Sequence, residues 1–409
     1  MGDFSDSSSN LRHSNYIICE EHVLDEDLGN IFRKYGTPYG ECDICGKVVT
    51  DWDFHNPFFI DFQTLFEKIK KCIELEFGDA WDILPYDNEE EQFIGEPIPT
   101  RDLIEELCQN SCDEDLIEWI IDQFDFTHEW SNRNTHSDFE ESEELYYSWN
   151  SFSDLVKNKI RYLFFDFEEK RTTKRPNKPF DILREIGDYI TEQKMFIVYP
   201  EFGDLFNQNP KIYRARQHKL KREVLGYKDI CSPLPKFAKS NRFTPEGISM
   251  FYGAECPNTA ISEVVNKAKP NEFISVAEFR HNRKLRLIDL RDPKLIGFFD
   301  EHNSHKRQAS FFIRKFVREI TKPIDYQKQI GSIEYIPSQI ITEYFRFILT
   351  KLGHKVDGMV YRSSKTPGKN CYVFFAESGD CIDEGRSTSD HLLVMEKNSI
   401  VTKKVKEML

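Results

Sequence analysis

The stretch Asn241-Arg242-Phe243-Thr244-Pro245-Glu246-Gly247-Ile248-Ser249-Met250-Phe251-Tyr252-Gly253-Ala254, with Asn258-Thr259-Ala260-Ile261-Ser262-Glu263-Val264 close behind it, decides the fold of the second half of the chain. Pro245 and Gly247 mark a turn, since proline fixes its own φ and glycine tolerates positive φ. The apolar run that follows predicts a strand ending at Tyr252. Ala260, Ile261, Val264 and Ala268 then recur at helical spacing, which predicts a helix with Glu263 off its apolar stripe. Upstream, Ile212-Tyr213-Arg214-Ala215-Arg216 places Arg214 before the first turn. Downstream, Phe273–Phe279, Leu285–Leu290, Gly358–Tyr361 and Tyr372–Phe375 read as short strands. They alternate with helical patterns near 259–268, 305–320 and 338–352, and this mixture predicts a separate α+β domain.

The front half has a different texture. Phe62, Leu65, Phe66, Ile69, Ile73 and Phe77 fall at helical spacing. Thr100 is placed to cap a helix over Arg101–Asn110, and further helices fit Glu114–Phe124 and Trp149–Phe167, the last with Leu155, Ile160, Leu163 and Phe164 inward. Pro85 to Pro99 reads as an acidic loop. Arg171 to Pro179 is a basic, proline-containing linker, with a helix over Phe180–Gln193 and a strand over Met195–Tyr199 after it. The expected layout is a disordered Ser-rich start at 1–16, a metal-binding segment at 17–55 and a helical domain at 56–170. A linker with a helix at 171–204, the α+β domain at 205–385 and a C-terminal tail at 386–409 complete it.

A length of 409 residues suits two or three domains. The net charge of −15 divides unevenly: residues 1–200 carry 19 Lys+Arg against 45 Asp+Glu, and residues 201–409 carry 36 against 25. An acidic front half repels phosphates, which argues against nucleic acid as a partner there. The basic back half suits a phosphorylated ligand. The start Met1-Gly2-Asp3-Phe4-Ser5-Asp6 lacks the pattern of a signal peptide or a myristoylation site. No apolar run reaches the ~18–20 residues that span a bilayer. A soluble cytoplasmic protein with no membrane partner is the expectation.

Seven of the ten cysteines (Cys72, Cys108, Cys112, Cys231, Cys256, Cys371, Cys381) lack ligand-like spacing. The other three do not. Cys19-Glu20-Glu21-His22 and Cys42-Asp43-Ile44-Cys45-Gly46 form C-x2-H and C-x2-C pairs, and a two-residue spacing lets both side chains of a pair address one ion from a tight turn. Four such ligands suit tetrahedral zinc in a closed, structural site, with His55 as a spare candidate. Other motifs fail. Gly40 to Gly46-Lys47-Val48 has the wrong spacing for a phosphate loop and a valine where the magnesium-binding hydroxyl belongs. Neither G-x-G-x-x-G nor G-x-S-x-G occurs. Ser387-Thr388-Ser389 is not followed by a Glu-x-Glu.

Four motifs in order, Y-R-x-R from Tyr213, x-R-F-x-P-x-G-I-x-x-x-Y from Asn241, T-A-I-x-E-V from Thr259 and D-G-x-x-Y-x-S from Asp357, resemble the RES domain, a family named for its arginine, glutamate and serine. The resemblance spans roughly 205–380. It implies a fold similar to that of diphtheria-toxin-type ADP-ribosyltransferases, and toxin-type enzymes that consume NAD+ by phosphorolysis or hydrolysis, giving nicotinamide and an ADP-ribose product. Cys42 to Gly46, Leu84-Pro85-Tyr86-Asp87, and Trp149-x-x-Phe152 with Arg161-Tyr162 resemble the HEPN-like domain often fused to it. The R-x4-6-H pair of HEPN ribonucleases is missing from this half, so RNA cleavage is disfavoured.

The resemblance implies Arg214, Arg242, Tyr252, Glu263 and Ser363 as catalytic residues. Ser364 competes with Ser363 for the family serine, and the Tyr-x-Ser spacing favours Ser363. Arg216, Phe243, Ser364 and Asn370 are implied as substrate contacts, with Phe243 standing where many RES domains carry tryptophan and keeping a ring for stacking. NAD+ is then a substrate and inorganic phosphate a co-substrate. An antitoxin or regulatory protein and a homo-oligomer are the partners such a toxin suggests. Two other classes stay open: an ADP-ribosyltransferase acting on a macromolecule, and a non-enzymatic zinc-containing interaction module.

Overall fold

The structure, a computed structural model, describes residues 16–51, 55–125, 127–133, 141–161, 181–201, 209–322, 331–386 and 388–407. Residues 1–15 of the start expected to be disordered at 1–16, the basic linker at 171–179, Leu163, Phe164 and Ser387 lie outside the described residues. The chain forms two compact units, 1–141 with 295–308, and 142–294 with 309–409. The sequence segments cut the chain differently: residues 142–158 belong to the second unit and residues 295–308 to the first.

The first unit is mainly helical. Its longer helices among the described residues are α1 (Glu26–Tyr35), α2 (Phe62–Glu76), α3 (Thr100–Cys108) and α4 (Glu114–Ile121). α2 forms where the periodicity placed it, burying Phe62, Leu65, Phe66, Ile69, Cys72 and Ile73. Asp61 caps it by accepting from the Thr64 N–H, and Asp113 caps α4 by accepting from Leu116 N–H. Thr100 is not a cap. It is the first helical residue, and its hydroxyl is drawn instead to the carbonyls of Asp125 and His128 while accepting from Trp130 Nε1. Short strands fill the gaps, including a hairpin of Tyr86–Asp87 with Gln92–Phe93 inside the stretch read as an acidic loop.

The second unit is built on one mixed sheet. Its strands are β1 (Phe196–Tyr199), β2 (Ile212–His218), β3 (Phe251–Ala254), β4 (Phe273–His281), β5 (Leu285–Asp289), β6 (Gly358–Arg362), β7 (Asn370–Phe374), β8 (Cys381–Asp383), β9 (Leu393–Met395) and β10 (Val401–Lys404). The order is β1-β5-β6-β7-β3-β2-β4-β9-β8, and β10 also pairs with β4. Only β5–β6 and β8–β9 are parallel. β9 and β10 come from the stretch expected to be a tail: three or four residues each are too short to show a period, but β4 is long enough to take both along one edge.

Helices α5 (Glu141–Asn158), α6 (Asp181–Glu192), α7 (Pro257–Val264), α8 (Arg307–Thr321) and α9 (Ile336–Glu343) follow the same chain. α5 starts earlier and ends earlier than the sequence implies, and it buries Leu145, Trp149, Phe152 and Val156 rather than Ile160. The sheet carries a core on each face. One gathers Tyr361, Cys371, Val373, Ala254 and Ala260 with residues of α5, α6 and α8, and the other gathers Ile212, Phe251, Val360, Tyr372 and Phe374. Alternation along a strand therefore assigns every side chain of the site to a face. Among the described residues no helix is long and apolar enough to cross a membrane.

Candidate active site and metal centre

The centre of the second unit is a carboxylate held by one oxygen. α7 begins at Pro257, a residue suited to the first helical position, and ends after Val264, where Val265 turns extended. A helix this short has no room for the predicted stripe: Val264 is exposed, and Ala268 lies past the end. Glu263 is half-buried instead of solvated. Its Oε1 accepts from the hydroxyl of Ser363 at 2.7 Å, a partner 100 residues away, and from the thiol of Cys371 at 3.7 Å. Oε2 takes no hydrogen bond from any described residue.

Ser363 is fixed by the turn that joins β6 to β7. Its backbone N–H donates to the Lys369 carbonyl, and its Oγ accepts from the N–H groups of Lys365 at 3.2 Å and Thr366 at 3.0 Å. With both acceptor positions used, the hydroxyl proton is directed to Glu263. Lys365 then clamps the helix end: its Nζ donates to the carbonyls of Ser262 at 3.0 Å and Glu263 at 2.8 Å. These are carbonyls that a helix C-terminus leaves unpaired, where a cation is also favoured by the dipole.

Tyr361 sits beside this pair. It is buried, opposite Cys371 in the β6–β7 register. Burial pushes its hydroxyl well above the usual tyrosine range, with Cys371 and Glu263 adding to the rise and Arg242 opposing it. Burial likewise raises Tyr252 to about 12 and the Cys371 thiol to about 12. Both tyrosines are neutral hydroxyls near neutral pH. Tyr252 hydrogen-bonds to Thr244, Arg242 donates to the Thr321 carbonyl, and the Ser338 hydroxyl donates to the Arg242 carbonyl at 2.6 Å. Arg242, Tyr252, Tyr361 and Glu263 therefore share one electrostatic neighbourhood on one face of the sheet.

The remaining predicted residues fall elsewhere. β2 and β3 share a single residue pair, Tyr213 with Ala254, and Arg214 lies where that ladder stops. Its guanidinium donates to the Tyr252 carbonyl at 2.8 Å and stacks over Phe251 at 4.8 Å. Burial lowers its pKa, though a guanidinium stays charged. It touches neither Glu263 nor Ser363. Arg216 is exposed on the same strand, bonded to the Asp229 carbonyl. Phe243 has no exposed surface and packs edge-on to Tyr361 at 5.2 Å, so its ring has no open face for stacking. Asn370 accepts from Arg362 at 2.9 Å, on the face opposite Ser363. Ser364 is exposed, and of the two serines only Ser363 meets Glu263. Sequence reasoning missed Tyr361, Cys371 and Lys365. Tyr361 and Cys371 sit in motif words already quoted, but only the strand register brings them to Glu263.

The first unit holds a second cluster. Cys19, His22, Cys42 and Cys45 place one ligand atom each within 4.8 Å of one another. Cys19 Sγ lies 3.7 Å from Cys45 Sγ, and Cys42 Sγ lies 3.4 Å from His22 Nε2. Tetrahedral bonds of ~2.3 Å to sulfur and ~2.0–2.1 Å to nitrogen would put two sulfurs ~3.8 Å apart and sulfur and nitrogen ~3.6 Å apart. The residues fit zinc. His22 turns its Nδ1 to Asp113 at 2.5 Å, the outer carboxylate that orients a histidine ligand. Burial raises the Cys42 thiol, but N–H groups of Cys45, Cys19 and Ile44 reverse this and bring it down to about 7. Gly46, at φ 71°, takes the left-handed conformation that lets the loop curl. His55 is not in the set.

Residues 36–170 match the family model described as HEPN/RES N-terminal domain 1, and residues 211–394 match the RES domain. No curated protein matches the chain.

Proposed function

We propose, from the premise that this chain belongs to the RES-domain proteins with a HEPN/RES N-terminal domain, that it is a toxin-type enzyme cleaving the nicotinamide–ribose bond of NAD+ by phosphorolysis or hydrolysis. The observation that carries the reading is the Glu263–Ser363 pair, which commits one carboxylate oxygen and leaves the other for a ligand. When the C1′–N1 bond breaks, its electron pair goes to the ring nitrogen, which becomes neutral, so nicotinamide leaves without a proton. Oε2 of Glu263 stabilises the oxocarbenium-like ribose that remains. An oxygen of water or phosphate then bonds to C1′, and a water nucleophile passes its proton to Glu263 or solvent. Arg242 grips the pyrophosphate with its planar donor fork, and Arg214 acts behind the site by holding the Tyr252 carbonyl. Tyr252 contacts the substrate, and Ser363 orients the carboxylate. The ADP-ribosyltransferase-like fold belongs to the same proposal, supported by the mixed sheet that parts between β2 and β3. So does an antitoxin that blocks this site. Zinc on Cys19, His22, Cys42 and Cys45 is structural: all four positions are protein ligands, with none open for catalysis.

The test is product analysis on full-length protein with NAD+, with and without inorganic phosphate. Nicotinamide with a phosphorylated ADP-ribose indicates phosphorolysis, and nicotinamide with ADP-ribose indicates hydrolysis. Glu263→Gln lowers kcat by ~100-fold or more with unchanged circular dichroism. Wild-type turnover by that variant sinks the site. Label transferred from NAD+ to a macromolecule makes the protein a transferase, and a folded protein without NAD+ turnover makes it an interaction module.

A further inference from the structure

In the first unit, three rings cluster on the surface rather than in the core. Trp81 stacks on Tyr86 with centroids 5.1 Å apart and planes at 29°, and Phe93 meets Trp81 at 4.7 Å and Tyr86 at 5.3 Å, both edge-on. Tyr86 and Phe93 face each other across the hairpin, and Trp81 stands on the short helix Ala80–Ile83 just before it. Mutual stacking would hold the hairpin, yet Trp81 keeps 64% of its surface exposed and the neighbouring Ile94 keeps 60%. No described cation lies over these rings.

The turn beside them is acidic without compensation. From Cys72 to Thr100 the sequence has nine Asp or Glu and no Lys, Arg or His. Asp82, Asp87, Glu89, Glu90, Glu91 and Glu96 form no ion pair with any described residue. Asp87 instead shapes the turn, accepting from the N–H groups of Glu89 at 2.8 Å and Glu90 at 3.2 Å. Glu91 adopts the left-handed region at φ 53°, where glycine is the unstrained choice, so a carboxylate is kept there at a conformational cost.

We propose that the Trp81–Tyr86–Phe93 face and the Asp87–Glu91 turn dock an arginine- and lysine-rich segment of a partner polypeptide. A guanidinium can lie flat on an exposed indole and donate to a carboxylate at its edge at once, so both halves of this surface select the same group. Nucleic acid and anionic lipid are repelled by the same carboxylates. Exposed Trp and Tyr flanked by charge form the kind of surface whose few aromatic anchors dominate binding.

The experiment titrates full-length protein with a fluorescent Arg/Lys-rich synthetic peptide and with its counterpart carrying Gln at every basic position. Binding of the basic peptide, weakened about tenfold by Trp81→Ala, is expected. The triple change Glu89→Gln, Glu90→Gln, Glu91→Gln weakens it at least as much and flattens its salt dependence. The triple variant keeps every ring, so it tests the surface even if Trp81→Ala disturbs the hairpin. Unchanged affinity in both variants overturns the proposal, because the peptide then binds the acidic unit elsewhere. Equal binding of the Gln peptide overturns it in favour of a neutral apolar partner. Sedimentation showing self-association that Trp81→Ala abolishes overturns it in favour of a second copy of the chain.

Discussion

His281 on β4 has no exposed surface, and its Nδ1–H donates to the Arg283 carbonyl at 3.0 Å. Burial lowers its pKa below the ordinary 6.5, with the carbonyl bond opposing. The sign follows from linkage. As pH falls through 6.5 the unfolded chain takes up a proton that the folded chain refuses, so stability is lost as pH drops from there toward the folded pKa. Each unit of depression is worth about 1.4 kcal/mol at the lower plateau. Thermal melts between pH 7.5 and 5.5 should show Tm falling more steeply for wild type than for His281→Leu, which starts lower but lacks this proton. Parallel slopes would rule out the assignment. The same competition between burial and partner explains what could be read at Glu263. A helical wheel sees only the residue's own helix, and it reads Glu263 as solvated. The Ser363 hydroxyl that reverses this arrives from 100 residues away. The motif order carried Glu263 and Ser363 together, but not the single-oxygen geometry, which depends on the turn at Lys365 and Thr366. Phe243 differs from its sequence appearance for a related reason: an aromatic next to an arginine looks available in a sequence, and only Tyr361 packed against it shows that it is enclosed.

Gly358 and Gly253 both sit in the strands that carry the site, and they differ in what a side chain would meet. A Cβ on Gly358 would lie 2.1 Å from the Val373 carbonyl oxygen and 2.9 Å from Phe374 Cα, both backbone atoms of the paired strand β7. A Cβ on Gly253 would lie 2.5 Å from Ile212 Cγ2, a side-chain methyl rather than a backbone atom of the paired strand. Gly358→Ala should therefore force β6 and β7 apart and cost about 3 kcal/mol. That corresponds to a Tm drop of roughly 6–12 °C in a unit of this size. Gly253→Ala should cost clearly less. Equal melting shifts for the two variants, by calorimetry, would mean that the ladder absorbs the intrusion. Element by element, strands with long apolar runs were legible: β4 and β5 lie where the composition put them. Short or interrupted elements were not. The run near 338–352 reads as one helix but is α9, a wider turn over Tyr344–Ile348, and a last piece at Leu349–Lys351. Periodicity averages over such a change of winding.

The two units carry the two candidate sites: the four thiol and imidazole ligands belong to one, and Glu263 and Ser363 to the other. Cys19 and Cys45 lie on opposite sides of α1 in the sequence, so one ion would close a loop of more than twenty residues as well as tie the β-bridged start of the unit to its knuckle. The unit also has its own apolar core, built on α1 to α4 with Phe299 from the inserted segment 295–308. Zinc should therefore add stability to an existing fold rather than create it, unlike a small finger that is unfolded without metal. Metal analysis of purified protein should find one zinc per chain, lost in Cys42→Ser. A chelator that strips the ion should lower the thermal transition of this unit, and added zinc should restore it in a concentration-dependent way, as binding to the folded state alone requires. At temperatures below the lowered transition, NAD+ turnover should survive chelation, because no ligand of the cluster belongs to the unit that carries Glu263 and Ser363. A protein that purifies with no zinc and melts identically with and without chelator would leave the four residues as an ordinary thiol and imidazole cluster. Immediate loss of turnover on chelation, with both thermal transitions unmoved, would instead place the metal in the chemistry and end its structural assignment.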